Sequence, residues 1–489
     1  MHMLYETGSF YDEMLEPCGT PKTHYETVYR ALHQLPADEL RRKHETAQNR
    51  FLRQGVTFTV YNDNAGAERT MPFDPIPIIV PSAQWARIEQ GMIQRVSALN
   101  CFLEDVYGEQ FIVRDGIIPE KLVLDNPAYR PEVAGHSCAP RNSRIFLAGI
   151  DLIRDDFGEY RVLEDNLRNP SGIAYVYENR NVMRHVFPEL FRSQQIMSIE
   201  HQFGVLHETM LNHAPAGFRG PGLPRAVLLT PGPYNSAYYD HAFLARQMGI
   251  ELVEGGDLAV LDGYVYERTI RGLQRVDIIY RRIDDDFLDP LAFRPDSMIG
   301  VPGLFDAHCR GNVSILNGLG NGIADHKGVY AYVPDMIRYY LNEEPIIPNV
   351  PTLLLNDPEQ REYVFERMDR LVIKNVGASG GYDMLIGPHA TEEEIVLFRE
   401  KMMANPEQYI AQPTVKLSRA PTLHQHDDRV YPCHIDLRVF AMRGGDHTHV
   451  LPGGLSRVAL KEGSLVVNSS QGGGGKDTWV LQERGGLVC

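Results

Sequence analysis

The stretch LVIKNVGASGGYDML (Leu371–Leu385) decides how the rest of the chain is read. A short apolar run with β character (Leu371, Val372, Ile373) ends in Lys374, and the chain then breaks into Gly377, Ser379, Gly380 and Gly381. Bare backbone N–H groups let phosphate oxygens approach closely, and a lysine supplies a point charge, so a strand–lysine–glycine arrangement suits a polyphosphate. Glycine-rich turns also serve only to reverse a chain. The choice between the two readings therefore rests on what other residues the chain carries.

The second informative block is RIFLAGIDLIRDDFGEYRVLEDNLRNPSG (Arg144–Gly172). Two strand-like runs flank the acidic turn Asp155–Glu159, which reads as a hairpin. With Phe157 and Gly158 as the loop, Asp151 lies directly across from Glu164, and strand alternation puts Asn166 on the same face as Glu164. Two carboxylates and an amide oxygen form a hard-oxygen set suited to Mg²⁺ carrying phosphates. Read alone, the patch is a solvated hairpin face; read with Lys374 and its glycine loop, it is a metal site.

Bulk properties narrow the function. At 489 residues the chain exceeds one core, so two or three packed domains are expected. A formal net charge of -16 and a pI near 5.6 argue against a nucleic-acid backbone as the main partner. No apolar run approaches a membrane span, and the amino terminus lacks the basic-then-apolar layout of a signal peptide. The six cysteines (18, 101, 138, 309, 433 and 489) form no CxxC pair, so a reducing cytoplasm is the expected setting. Cys18 reads as a loop cysteine, since nothing nearby marks a base.

Residues 1–80 read as mixed helix and loop, with one or two helices over Tyr25–Phe51 and the Pro-rich Met71–Pro81 closing the segment. From Ser82, expected as an N-cap, a helix buries Trp85, Ile88, Met92, Val96, Leu99, Leu103 and Val106, which recur at helical spacing. Residues 185–215 look helical, and Ala214–Arg225 reads as a linker. An α/β unit follows, with a strand at Ala226–Thr230, a helix at Asn235–Met248 closed by Gly249, and strands at Ile250–Val253 and Arg275–Ile283. Its turn TPGPYN does not match a GxGxxG dinucleotide fingerprint. Residues 305–328, rich in Gly and Asn, read equally as a substrate loop or a connection. Beyond Tyr330 a helix is expected over Thr391–Met403, with strands at Tyr409–Val415, His434–Met442 and the SLVVN of 464–468. The GGGGKDT of Gly472–Thr478 mimics a P-loop but fails as one: Ser470 stands where the first glycine belongs, and Asp477 replaces the Ser/Thr.

Taken from 325 to 475 and then back to 149–172, these motifs fall into the order of an ATP-grasp ligase in circularly permuted form. The chain resembles the circularly permuted type 2 ATP-grasp proteins, related to glutathionylspermidine synthetase. Asp325–His326–Lys327 looks like the DxK or DK that opens the nucleotide lobe, and Lys374 is similar to the second ATP lysine, with GASGGYD as the lid. Gln412 sits at the adenine-side hinge; Asp436 and Arg438, Arg457, and Asn468 before a glycine run match the later strands. The Asp151, Glu164 and Asn166 block supplies the metal ligands, with NPSG as the closing loop. The resemblance covers most of the chain after about residue 140.

The resemblance implies an α/β (α+β) circularly permuted ATP-grasp fold divided into four parts. These are a mainly helical region (1–140), a permuted piece of the C-lobe with the metal hairpin (141–220), a pre-ATP-grasp-like α/β domain (221–324) and the nucleotide lobes (325–489). It also implies that residues 145–172 and 430–475 share one sheet. The implied function is an ATP- and Mg²⁺-dependent carboxylate–amine ligase that works through an acyl phosphate and releases ADP. Its partners would be small-molecule carboxylates and amines (amino acid, peptide or polyamine), not nucleic acid or membrane. Lys327 and Lys374, with Ser379, Gly380, Gly381, Gln412 and Asn468, would bind the nucleotide; Arg438 and Arg457 would stabilise the transferring phosphoryl and the substrate carboxylate. A phosphotransferase on the same lobes, or a nucleotide sensor without turnover, are the rival readings.

Overall fold

The computed structural model describes residues 7–62, 65–135, 144–377, 383–424, 429–460, 463–465, 467 and 473–483. In chain order the first strands are β1 (Thr57–Asn62), β2 (Ala65–Thr70), β3 (Phe73–Val80), β4 (Leu147–Arg154) and β5 (Tyr160–Asn166). The middle of the chain carries β6 (Ala226–Leu229), β7 (Glu251–Val253), β8 (Leu258–Leu261), β9 (Tyr264–Thr269), β10 (Gly272–Val276), β11 (Ile278–Arg281) and β12 (Ser314–Leu316). Then follow β13 (Leu353–Leu354), β14 (Leu371–Asn375), β15 (Met384–Ile386), β16 (Tyr409–Pro413) and β17 (Arg419–Leu423). The last are β18 (Val430–Gly444), β19 (His447–Val450), β20 (Leu455–Val458) and β21 (Gly474–Val480).

The expected meeting of the two distant segments is what the largest sheet displays. Its order is β3-β21-β20-β18-β4-β5, with β17 and β19 also paired to β18, and the early β4 lies antiparallel to the late β18 with Arg438 opposite Asp151. One face of β4 and β18 (Ala148, Ile150, Leu152, Leu437, Val439) joins the core built with the helix Ser82–Val106. The other face carries the polar row described below, flanked by a second core with the helix Ile173–Val186.

Among the described residues there are four smaller sheets, β1-β2, β10-β9-β8 and two of four strands, and the last two bear on the site. A parallel sheet of order β12-β11-β6-β7 forms the middle α/β unit, as its alternating pattern predicts. An antiparallel sheet of order β13-β16-β14-β15 carries Lys374 and Gln412. One of its faces (Leu371, Ile373, Leu385, Ala411) is sealed by Val364, Phe398 and Met402 of the helices Pro358–Glu366 and Glu392–Ala404. Because Lys374 pairs with Ile410, and Val372 with Gln412, both functional candidates stand on the opposite face.

Several expectations need correction. Met71–Pro81 is not a closing loop: β3 within it is buried along its length, lying parallel to β21 at the edge of the large sheet, where its prolines are tolerated. Ser82 is the first helical residue; Pro81 is the N-cap and the Ser82 side chain makes no cap bond. Arg275–Ile283 is two strands broken at Asp277, whose side chain accepts from Arg225 N at 2.9 Å. Residues 314–316 are a buried core strand, and Asn317 and Asn321 are structural, bonding the backbone of Phe146, Leu147 and Arg144. Of the expected strand 464–468, the described Ser464, Leu465 and Val467 lie outside any strand.

Candidate active site

The polar row runs across four neighbouring strands. Glu164 on β5 pairs with Asp151 on β4, Asp151 with Arg438 on β18, and Asp436 on β18 with Arg457 on β20. Directly paired residues share a face, so all five project the same way, and Asn166, opposite Gly149, joins them. The Asp151–Glu164 pairing forms by a different route from the expected one. The turn is longer, with Arg154 opposite Tyr160, and a bulge between Asp151 and Leu152 restores the register.

The row is a compact charge network. Arg438 donates from Nε and Nη2 to the two Asp151 oxygens at 2.6 and 2.7 Å, and its Nη2 stands 3.8 Å from Glu164. Arg457 donates to Asp151 at 2.8 Å and, through two bonds of 2.8 and 2.5 Å, to Asp436. Burial alone would push the Asp151 carboxyl up, but the two guanidiniums more than offset it and hold it well below the usual range. Asp436, with burial dominant, is pushed up despite Arg457. Asp151 is 1% exposed and Glu164 30%, so the open end of the row is Glu164.

Behind the row, Asp165 points the other way and is gripped by Arg95 at 2.6 Å through both Nε and Nη2. Arg95 also donates to Asn349 at 2.7 Å, and the edge of β5 is bonded to residues 348–350, which lead into the antiparallel sheet. This clamp fixes which face Glu164 and Asn166 present. A single strand pattern names alternate residues but not the partner on the far side, so sequence reasoning missed Arg95 and Asp165.

Lys374 completes the neighbourhood. Burial, with Lys327 adding to it, lowers its ammonium to about 8, while the Glu164 and Asp151 carboxylates act the other way. Glu164, Asp151 and Lys327 each act electrostatically on Lys374. Asp325 does not face this cluster as a ligand; it accepts from the backbone N–H of Leu167 and Arg168 at 2.6 and 3.2 Å, and burial pushes its carboxyl up to about 7. Gln412 is buried and donates to Thr352 at 2.9 Å. Ser379, Gly380, Gly381 and Asn468 lie outside the described residues. On either side of residues 378–382, Asn375 Nδ2 donates to Asp383 Oδ2 at 2.9 Å. Residues 474–478 of the GGGGKDT stretch belong to the buried β21, where Lys476 is paired with Asp74, which accounts for its failure as a P-loop.

Among the described residues no group of three or more His, Cys, Asp and Glu stands ready for a metal, so the candidate ligands are two carboxyls and one amide. The amide Nδ2 of Asn166 is buried with no hydrogen-bond partner. Asp151 and Glu164 offer carboxylate oxygens and Asn166 an amide oxygen, the hard donors a divalent cation takes, so the residues fit such an ion; the unpartnered Nδ2, a donor, would face an anionic oxygen beside it.

Comparison with known proteins shows the family. Residues 77–459 match the family described as circularly permuted ATP-grasp type 2. An uncharacterized protein of Synechocystis sp. is 50% identical, with 98% of each chain covered. A protein of Frankia alni provisionally named a glutamate–cysteine ligase is 44% identical over 96% of this chain, which spans 54% of that longer protein. A glutathione synthetase-like effector from Globodera pallida, solved in apo form, superposes with a TM-score of 0.57 at 13% identity, covering 92% of this chain and 98% of that one. The match spans both the early hairpin and the late lysine strand, and the chain belongs to the circularly permuted ATP-grasp type 2 family.

Proposed function

We propose that the chain is an ATP- and Mg²⁺-dependent carboxylate–amine ligase that activates its carboxylate as an acyl phosphate and releases ADP. The observation that carries the reading is the convergence of Lys374 and Lys327 with the Glu164–Asp151–Arg438 row. Lys327 and Lys374 would hold the phosphates, and the Gln412 strand would border the base. Asp151, Glu164 and Asn166 would hold Mg²⁺, which supplies charge neutralisation and in-line orientation of the phosphates when bound. Arg438, its planar fork fixed by Asp151, would face the negative charge of the carboxylate as it meets the γ-phosphoryl group. Arg457 is more enclosed and bonded to both Asp151 and Asp436, so it would act by keeping Asp151 ionised. Little covalent chemistry falls to the protein; positioning and charge compensation dominate.

The Frankia alni relative bears a ligase name that points to amino-acid substrates, but on a protein about twice as long as the matched part. An amino acid or short peptide is accordingly the first substrate class to test. Full-length protein is incubated with Mg-ATP, candidate amino acids or peptides, and hydroxylamine. The expected result is hydroxamate formed in step with ADP. ADP with a stable phosphorylated product instead identifies a phosphotransferase, and AMP with pyrophosphate contradicts the acyl-phosphate reading.

A further inference from the structure

In the parallel sheet of order β12-β11-β6-β7, the chain leaves β6 for β7 on one side and returns to β11 on the other. Between β6 and β11 the winding reverses, and the crevice outside the carboxyl ends of such strands is where doubly wound sheets ordinarily take a ligand. Here that crevice holds a piece of the same chain, the turn Asn169–Gly172 and the start of the helix Ile173–Val186.

The anchoring runs residue by residue. Arg282, directly after β11, donates to Pro170 O at 2.7 Å and to Tyr280 Oη at 3.0 Å. Asp240, on the helix Tyr238–Met248 that follows β6, accepts from Ala174 N at 2.8 Å. Asn169 Nδ2 donates to Asp284 at 2.8 Å, and Asn317 Nδ2 to Arg168 O at 3.2 Å. Between these fixed points Ser171 O accepts from Arg438 Nη1 at 3.3 Å. Arg438 thus has two kinds of support, Asp151 within its own sheet and a carbonyl on a turn held from the middle unit.

Asp240 and Arg282 are the centre of this anchor. They are 0% and 4% exposed, and Arg282 Nη2 lies 3.7 Å from Asp240 Oδ2. Neither has a hydrogen bond or ion pair with the polar row, although the Arg438 guanidinium acts at a distance on the Asp240 carboxyl. Desolvating a carboxylate and a guanidinium is costly, and hydrophobic residues would fill the same space more cheaply if filling were all that was needed. What a hydrophobic pair could not do is bond Pro170 O and Ala174 N from two sides.

We propose that Asp240 and Arg282 are positioning residues that hold the Asn169–Gly172 turn, and through Ser171 the guanidinium of Arg438, in register with the active-site row. The link to catalysis rests on the ligase reading above; the anchor itself does not. Hydrogen exchange read by mass spectrometry on the full chain separates the two. In Asp240→Ala, amides over 167–175 should exchange about tenfold faster than in the wild type, while β18 and the helix Tyr238–Met248 keep their rates. Asp240→Asn, which keeps an acceptor for Ala174 N, and Arg282→Lys should lie between. Affinity for Mg-ADP should stay within about threefold in all of them, because no nucleotide contact is removed. In the hydroxamate assay Asp240→Ala should lose about 10²-fold in kcat at an unchanged KM for ATP. Faster exchange spread over the whole middle unit, or no local change at 167–175, overturns the anchor. A rise in KM for ATP with kcat kept overturns the positioning role. Local opening in a protein whose wild type makes no hydroxamate leaves the anchor standing and removes the ligase reading.

Discussion

Lys374 shows how much one residue's surroundings add to its place in a motif. The sequence places a lysine before a glycine run; only the fold reveals that burial and Lys327 lower its ammonium to about 8. Protonated Lys374 is thus penalised in the folded, ligand-free protein. The penalty is full below about 8 and is relieved as pH rises from there toward the ordinary 10.5, so this residue's contribution to stability improves over that window. Phosphates favour the protonated form and reverse the effect. Affinity for Mg-ADP should fall above pH 8 by up to about tenfold per pH unit, with proton uptake on binding. Calorimetry at pH 8.5 in two buffers of different ionisation heat measures that uptake; the account expects it in the wild type and not in Lys374→Met. Asp151 teaches a related lesson. Its pairing with Glu164 is legible from alternation, but its two bonds to Arg438 come from strand order, which no local pattern encodes.

Among the elements, β5 carries the most consequence for its length. Its sequence LEDN alternates Glu164 and Asn166 toward the site with Asp165 toward the helix Ser82–Val106, where Arg95 meets it. Arg95 and Asp165 are 2% and 0% exposed, so Arg95→Met strands a buried carboxylate and should cost about 3–5 kcal/mol in urea unfolding. A loss below about 1 kcal/mol would mean that water replaces the guanidinium and that the clamp does not set the face of β5. The helices Ser82–Val106 and Glu392–Ala404 are readable because 3.6-residue spacing and a Thr391–Glu394 capping box are local signals. β3 is not. Its prolines at 75 and 77 read as a loop, and only pairing along β21 makes the segment a strand.

At the scale of the whole molecule, the early hairpin and the late strands are parts of one sheet. Asp74 from β3 is paired with Lys476 from β21 and accepts from Leu423 N at 2.6 Å, so a third distant segment is tied into the same edge. The order of the motifs foretold that sheet, because a permuted chain must rejoin what permutation separates. The docking of the middle α/β unit onto the Asn169–Gly172 turn was out of reach, since its bonds come from Asp240, Arg282 and Asp284, which match no motif. The central claim is that Glu164 and Lys374, far apart in sequence, serve one nucleotide. Isothermal titration of Mg-ADP into the wild type, Glu164→Gln and Lys374→Met tests it most directly. The account predicts binding by the wild type and a loss of at least about tenfold in each variant, with circular dichroism unchanged and the Glu164→Gln loss confined to the Mg²⁺-dependent part. Equal binding by all three proteins, or none by the wild type, would contradict it.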